Sequence, residues 1–397
     1  MTRTLVLLLL PFFVNCQNKG SLLNTNFYQE LPFEVIRDKI LVPVTIQGET
    51  YKFILDSGGK LDISKRLQDK FNFEKLGTMK VSGVNGISIT IDKVKIPLVQ
   101  LGDLKFQDYP AMVSGFTDKY PGECLEADGM IGRDFLKDLI LHMDMTNKQV
   151  ILTDQAAKIP ANVAATEPLK MYYEGGLPYI TLRMNQKVKV KTCIDTGSPK
   201  VFSFKTKSVE QLKKKKGIDK KNIYTIHSKA SMGISAQAPK ASDAYIVYVD
   251  SLRIGSARFD TFYTDITLKS RSRVGSGLLK YGTLTMDFIS DKFYFTPYDS
   301  HPKVLRRSSP GIQFSVDKNN ITIAGLYELD TIKKSKIKMD DVVEAINGVE
   351  YLNLSDSELC TMYQNPLDWN TMPSEISFKI RSKDGTVRTV MLPKLPY

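Results

Sequence analysis

Two short stretches hold the residues best suited to chemistry, Asp56-Ser57-Gly58 and Asp195-Thr196-Gly197. Each closes a hydrophobic run, Phe53 to Leu55 in one case and Cys193 to Ile194 in the other. A strand anchored in a core in this way delivers its Asp at a tight turn. The Gly permits close backbone approach, and the Ser or Thr hydroxyl can bond backbone across an interface. If two such turns face each other at roughly 3 Å, their carboxylates cannot both stay ionised and titrate as a unit holding one proton. The ionised member can then take a proton from a water as it attacks a peptide carbonyl. The protonated member donates to the carbonyl oxygen and later helps to protonate the leaving amine. That chemistry requires no metal, no cofactor and no covalent intermediate.

One Asp-Ser/Thr-Gly is weak evidence, since strand-to-turn signals of this kind arise by chance. Here the surroundings repeat as well. Between residues 40 and 298, four blocks occur twice in the same order. Val44-Thr45-Ile46 matches Ile180-Thr181-Leu182, and the Asp turns follow. Val99-Gln100-Leu101-Gly102, with Phe106 and Tyr109 beyond it, matches Leu252-Arg253-Ile254-Gly255 with Phe259 and Phe262. Gly129-Met130-Ile131 aligns with Gly277-Leu278-Leu279, each followed by Met-Asp (Met143-Asp144, Met286-Asp287) and an apolar triplet. Segments such as Ser88 to Lys95 and Lys187 to Ile194 alternate and are β-branched, with Gly, Asn and Asp between them. Both halves therefore read as β-rich, with one helix each after the last Gly block. The predicted lobes are 34–155 and 165–299, joined by the Ala- and Pro-rich stretch from Asp154 to Pro168.

At these residues the chain resembles the retropepsin-like aspartic peptidases, in particular the bacterial aspartyl-protease proteins with two such lobes and a PDZ domain. The resemblance spans residues 34 to 397. It implies a mainly β fold: two retropepsin-like acid-protease lobes, then a PDZ-like α+β domain. It also implies Asp56 and Asp195 as the catalytic pair, supported by Ser57, Gly58, Thr196 and Gly197, with Asp128 to Gly132 beneath the first turn. A flap is expected at Val81 to Ile89, with Gly83, Asn85 and Gly86 at its tip, although Asn-Gly is also simply a good hairpin turn. In the alignment above, lobe 2 departs from the family pattern, with Ser276 in place of Asp and Lys280 in place of the last Gly. Gly59 stands where Ala, Ser or Thr is usual. The lobe 2 departures motivate an alternative function, a degenerate peptide-binding envelope lipoprotein or scaffold. A third reading has like lobes pairing between two molecules.

After a polar linker from Asp299 to Pro310, residues 309–397 change character. Gly311-Ile312-Gln313-Phe314 and the stretch from Asp341 to Gly348 resemble, respectively, the carboxylate-binding loop and a later helix-turn-strand of a PDZ domain. Such a loop offers backbone N–H groups to the C-terminal tail of a peptide that adds as a strand to the sheet edge. Packing against lobe 2 is the structural alternative.

The rest of the composition narrows the function further. The formal charge is +12, yet the one local run, Lys213 to Lys216, has no interleaved aromatic residues, so no nucleic-acid partner is expected. Residues 1–16 read as a signal peptide of lipoprotein type: Leu5 to Val14 is too short to span a bilayer, and Val14-Asn15-Cys16 resembles a lipidation site at Cys16. Cleavage without lipidation stays open because Asn15 is not the usual small residue. The expected location is the periplasm or outer membrane of a cell envelope, with membrane contact only through the lipid. Cys124, Cys193 and Cys360 allow at most one internal disulfide and show no metal-ligand spacing. The three His residues flank no nucleophile signature.

Overall fold

The structure is a computed structural model that describes residues 20–82, 88–185, 188–205, 210–211, 214, 223–229, 242–267, 271–304, 308–317 and 320–396. Residues 1–16 with Cys16, the Gly83, Asn85 and Gly86 tip, and Lys213, Lys215 and Lys216 of the basic run lie outside them. The fold is mainly β.

In the first half, Lys39–Ile46 and Glu49–Asp56 form a hairpin with Leu41 opposite Ile54 and Ile46 opposite Glu49. The loop between them, Gln47-Gly48, has both residues at positive φ (52° and 82°), a two-residue turn whose twist suits the strands. Alternation divides the hairpin's side chains between two faces. Ile40, Val42, Val44, Ile46, Phe53 and Leu55 enter the large core. Leu41 and Ile54 face a small cluster with Leu125, Ala127 and Met130. Gly129–Gly132 lies parallel to the end of the hairpin, with Gly132 opposite Asp56.

The second half is built in the same way. Leu177–Met184 pairs with Val188–Ile194, placing Tyr179 opposite Cys193, and these two residues with Leu177 make the matching small cluster. The parallel support strand here is Arg273–Val274, with Val274 opposite Ile194. A six-stranded sheet joins the halves, its two central strands Ile140–Asp144 and Gly282–Asp287 pairing antiparallel with Ile140 opposite Asp287. One continuous apolar core runs through both halves, with Phe53, Phe106 and Phe135 from the first and Phe204, Phe259 and Phe295 from the second all essentially inaccessible.

The C-terminal residues enclose a separate core that includes Ile312, Ile323, Val343, Leu359, Phe378 and Ile380. The longer of its two described helices, Asp356–Gln364, starts with a capping box between Ser355 and Glu358. This unit is firmly attached. Ile223–Ser228, in the second half, pairs with Ser242–Ile254 on one edge and with Asn320–Tyr327 on the other. A disulfide, Cys124–Cys360, ties the first half to the C-terminal helix.

Three sequence expectations need correction. The stretch from Asp299 to Pro310 is not a free linker: Lys303–Val304 pairs with Ala257–Thr267, and Ser308–Ser309 pairs with Leu395–Pro396. The first half contains a longer helix than the one after its Gly block, Lys65–Phe71, N-capped by Ser64, where an exposed polar face masked the signal. The third correction concerns the support strand of the second half. By strand pairing, Val274 occupies the place of Ile131 and Gly275 that of Gly132, so the counterpart of Gly129-Met130-Ile131-Gly132 is Ser272-Arg273-Val274-Gly275. Gly277-Leu278-Leu279 is instead the short helical turn that follows, Ser276–Lys280, matching Arg133–Leu136. The last Gly is therefore present: a Cβ on Gly275 would lie 2.0 Å from the Ser198 carbonyl oxygen.

Candidate active site

Ser57 and Thr196 are wholly buried where the two halves meet, and they exchange hydrogen bonds reciprocally. The Ser57 N–H donates to Thr196 Oγ1 (2.9 Å) and the Thr196 N–H to Ser57 Oγ (3.1 Å). Each hydroxyl then donates to the carbonyl that precedes the opposite Asp, Ser57 Oγ to Ile194 (3.0 Å) and Thr196 Oγ1 to Leu55 (2.8 Å). Four bonds thus clamp the turns in a single relative position, and a hydroxyl at both places is needed because each donates and accepts.

The clamp brings Asp56 and Asp195 together with their carboxyls in hydrogen-bond contact. The Gly58 N–H also donates to Asp56 Oδ1 (2.8 Å). Gly58 and Gly197 are required by proximity rather than by backbone twist. A Cβ on Gly58 would stand 2.7 Å from the Asp195 Cγ, and one on Gly197 2.3 Å from the Asp56 Cγ. Burial, and then the neighbouring Asp195 charge, push the Asp56 carboxyl up to about 7.

Cations surround this pair, and none of them was singled out from the sequence. Arg273 Nε lies 2.9 Å from Asp195 Oδ2, with both side chains largely buried. Lys39 Nζ donates to the Gly197 carbonyl oxygen, and burial lowers its pKa against the opposing pull of Asp56 and Asp195. Arg133 donates to the carbonyl oxygens of Gly59 (3.3 Å) and Gly175 (3.3 Å). Ser276 and Lys280, which looked like departures in the support strand, grip the first half instead. The Ser276 hydroxyl donates to the Asp38 carbonyl, and Lys280 Nζ sits 2.9 Å from Asp38 Oδ1. Cys193 is free and buried, and burial pushes its thiol up to about 12, so it is no nucleophile.

Residues 42–135 match the aspartyl protease family. That span contains Asp56, its turn and the Gly129–Gly132 support strand, all within the first half. No curated protein matches the chain. Among solved structures it is similar to conglutin gamma, a basic 7S globulin from lupine seeds, at 12% identity and a TM-score of 0.43, covering 70% of this chain and 96% of that one. It is also similar to the basic 7S globulin from soybean, at 10% identity and a TM-score of 0.41, covering 69% and 96%.

Of the Gly311 to Phe314 stretch, expected as a loop, Ile312 to Phe314 begin the strand Ile312–Asp317 and belong to the C-terminal core. Gly311 has φ +81°, Ile312 is buried, and the Gln313 side-chain oxygen accepts from Ser228 Oγ (2.8 Å). Phe314 packs on Trp369 and Phe378.

A further buried carboxyl lies close in sequence. Asp62 accepts hydrogen bonds from the Ser114 N–H (3.0 Å) and the Ser114 hydroxyl, yet burial pushes it up to about 7. A carboxyl whose folded-state pKa is raised binds its proton more tightly folded than unfolded. Its contribution is therefore most favourable below about pH 4 and is lost as pH rises to about 7. Asp62→Asn keeps the shape and can still bond Ser114, so its stability relative to wild type should rise by about 1.4 kcal/mol per pH unit across that window. Thermal unfolding of both proteins at pH 5 and pH 8 checks this, and a pH-independent difference would count against it.

Proposed function

We propose that the chain is an aspartic endopeptidase in which Asp56 and Asp195 activate a water to hydrolyse peptide bonds of a polypeptide substrate. The observation that carries this reading is the reciprocal Ser57–Thr196 clamp, which holds two carboxyls in hydrogen-bond contact with one of them pushed to about 7. Such a pair carries a single proton over a broad acidic to neutral range. The family match in the first half supports a protease-type activity. Ser276 and Lys280, which motivated the scaffold alternative, do not occupy the support strand. By register, however, Arg271 stands at the place of Asp128, so the second half still lacks that Asp and the scaffold reading is the alternative that the test below decides.

The lobes are residues 34–155 and 165–299. Residues 309–397 are proposed as a PDZ-like domain for peptide recognition through Gly311 to Phe314. Gly311 at positive φ supports this, as does the strand Ile312–Asp317, which among the described residues pairs only with Asn320–Tyr327. The proposed setting is the cell envelope after export, with Cys16 as a lipid anchor. A disulfide is what an oxidising compartment allows.

The test is incubation of wild-type protein with an unfolded polypeptide across about pH 3 to 8, the range in which such a pair could hold one proton. New peptide termini, read by mass spectrometry, are expected within that range. Their absence throughout would leave only a binding role.

A further inference from the structure

The surroundings of the two carboxyls differ despite the twofold repetition of the backbone. In the first half the support-strand residue before Ile131 is Met130, packed among Leu41, Ile54, Leu125 and Ala127. At the same register in the second half stands Arg273, opposite Cys193, only 8% exposed, with Nε 2.9 Å from Asp195 Oδ2. Its Nε–H is not aligned on that oxygen and has no hydrogen-bond acceptor among the described residues, so the contact is one of charge. A guanidinium cannot shed its proton here, and Asp195 is its one ion-pair partner among the described residues.

We propose, resting on the peptidase reading, that Arg273 is a positioning residue that holds the negative charge of the pair on Asp195 and leaves the shared proton on Asp56. The roles in hydrolysis then follow. Asp195 takes a proton from water as the water oxygen bonds to the peptide carbon, and Asp56 gives its proton to the carbonyl oxygen. On collapse of the diol, one hydroxyl proton returns to Asp56. The proton on Asp195 passes to the nitrogen as the C–N bond breaks, and the pair is restored.

Other groups facing the pair act less selectively. Lys39 attracts both carboxylates, and Arg37 and Arg273 oppose the charge on Lys39. Arg133 feels Asp56, while Arg271 faces Arg133, Cys193 and Tyr179. Arg273 alone among them lies within ion-pair distance of a carboxylate of the pair. The elevation of Asp56 to about 7 agrees with a proton resting there.

The experiment follows the carboxyl carbons of Asp by NMR titration in wild type, Arg273→Met, which installs the first half's residue, and Arg273→Gln. Signals are assigned by their loss in Asp56→Asn and Asp195→Asn. An opposite charge within about 4–6 Å favours a carboxylate by roughly 1–3 pKa units, so the lower of the pair's two midpoints should rise by at least about one unit in both variants. Should Arg273→Met not fold, Arg273→Gln gives the same readout. An unchanged midpoint overturns the proposal. In parallel, the acid limb of kcat/KM should move to higher pH at constant KM, with about tenfold less activity at its foot. Faster cleavage by Arg273→Met at every pH would mark the guanidinium as a lock and overturn the proposal. If wild type cleaves nothing but the midpoint moves, the charge assignment stands and the peptidase reading falls.

Discussion

Asp56→Asn and Asp195→Asn are each expected to lower peptide hydrolysis by at least roughly 10²-fold, because neither member of a proton-sharing pair can substitute for the other. An amide keeps the shape and some hydrogen bonding but can neither serve as base nor hold the shared proton. The double variant should be little slower than either single one, since residues that act as a unit are not additive. Cleavage of a peptide library by the three variants and wild type provides the measurement, and full activity in either single variant would sink the paired mechanism. Stability should separate the two substitutions. Asp56 is a carboxyl with a raised pKa, so its replacement removes a cost that grows as pH climbs from about 4 to about 7, and Asp56→Asn should unfold at or above the wild-type temperature at pH 8. Asp195→Asn leaves Arg273 buried without its ion partner, which costs roughly 3–5 kcal/mol when one member of a buried pair is removed. Its lower unfolding temperature would report the electrostatic asymmetry of the site independently of catalysis.

A chain ending before residue 309 should keep its folded two-half body but unfold at a distinctly lower temperature and self-associate. The reason lies in what the C-terminal unit covers. Its removal bares the edge of Ile223–Ser228 along Ile226, His227 and Ser228, and strips Tyr327 and Leu329 from a cluster containing Ile226 and Ile246. The Lys229–Asp340 ion pair at 2.7 Å and the stacking of Arg37 3.9 Å above Tyr363 are lost as well. An open strand edge and a newly free Cys124 thiol both promote pairing between molecules. Loss of the disulfide alone, in Cys360→Ser, should cost roughly 2–5 kcal/mol. Calorimetry and size-exclusion chromatography decide the truncation, where an unchanged transition and a monodisperse monomer would show that these contacts contribute nothing. Cleavage of the intact protein near Arg306 or Arg307, outside the described residues, should leave one band on a non-reducing gel and two after reduction.

The sequence by itself determined the features that depend on near neighbours. A hydrophobic strand ending in Asp-Ser/Thr-Gly is a local pattern, and its repetition made both turns visible, including the use of the hydroxyls to bridge them. Alternating β-branched segments likewise marked the hairpins and the mainly β class. Only the tertiary structure decided which strand supports the second turn. Gly277-Leu278-Leu279 looks like Gly129-Met130-Ile131 in composition, but backbone pairing opposite Ile194 selects Val274, two positions before the turn containing Ser276. That shift brings Arg273 to the carboxylate, and no pattern in one chain reveals a cation that meets its partner across strands 78 residues apart (Arg273 and Asp195). The same holds for Lys39 against Gly197, for Cys124 with Cys360, and for Ile223–Ser228 completing the C-terminal sheet. Short-range propensity specifies where a turn forms, whereas register and long-range charge contacts are set by which whole faces can bury one another.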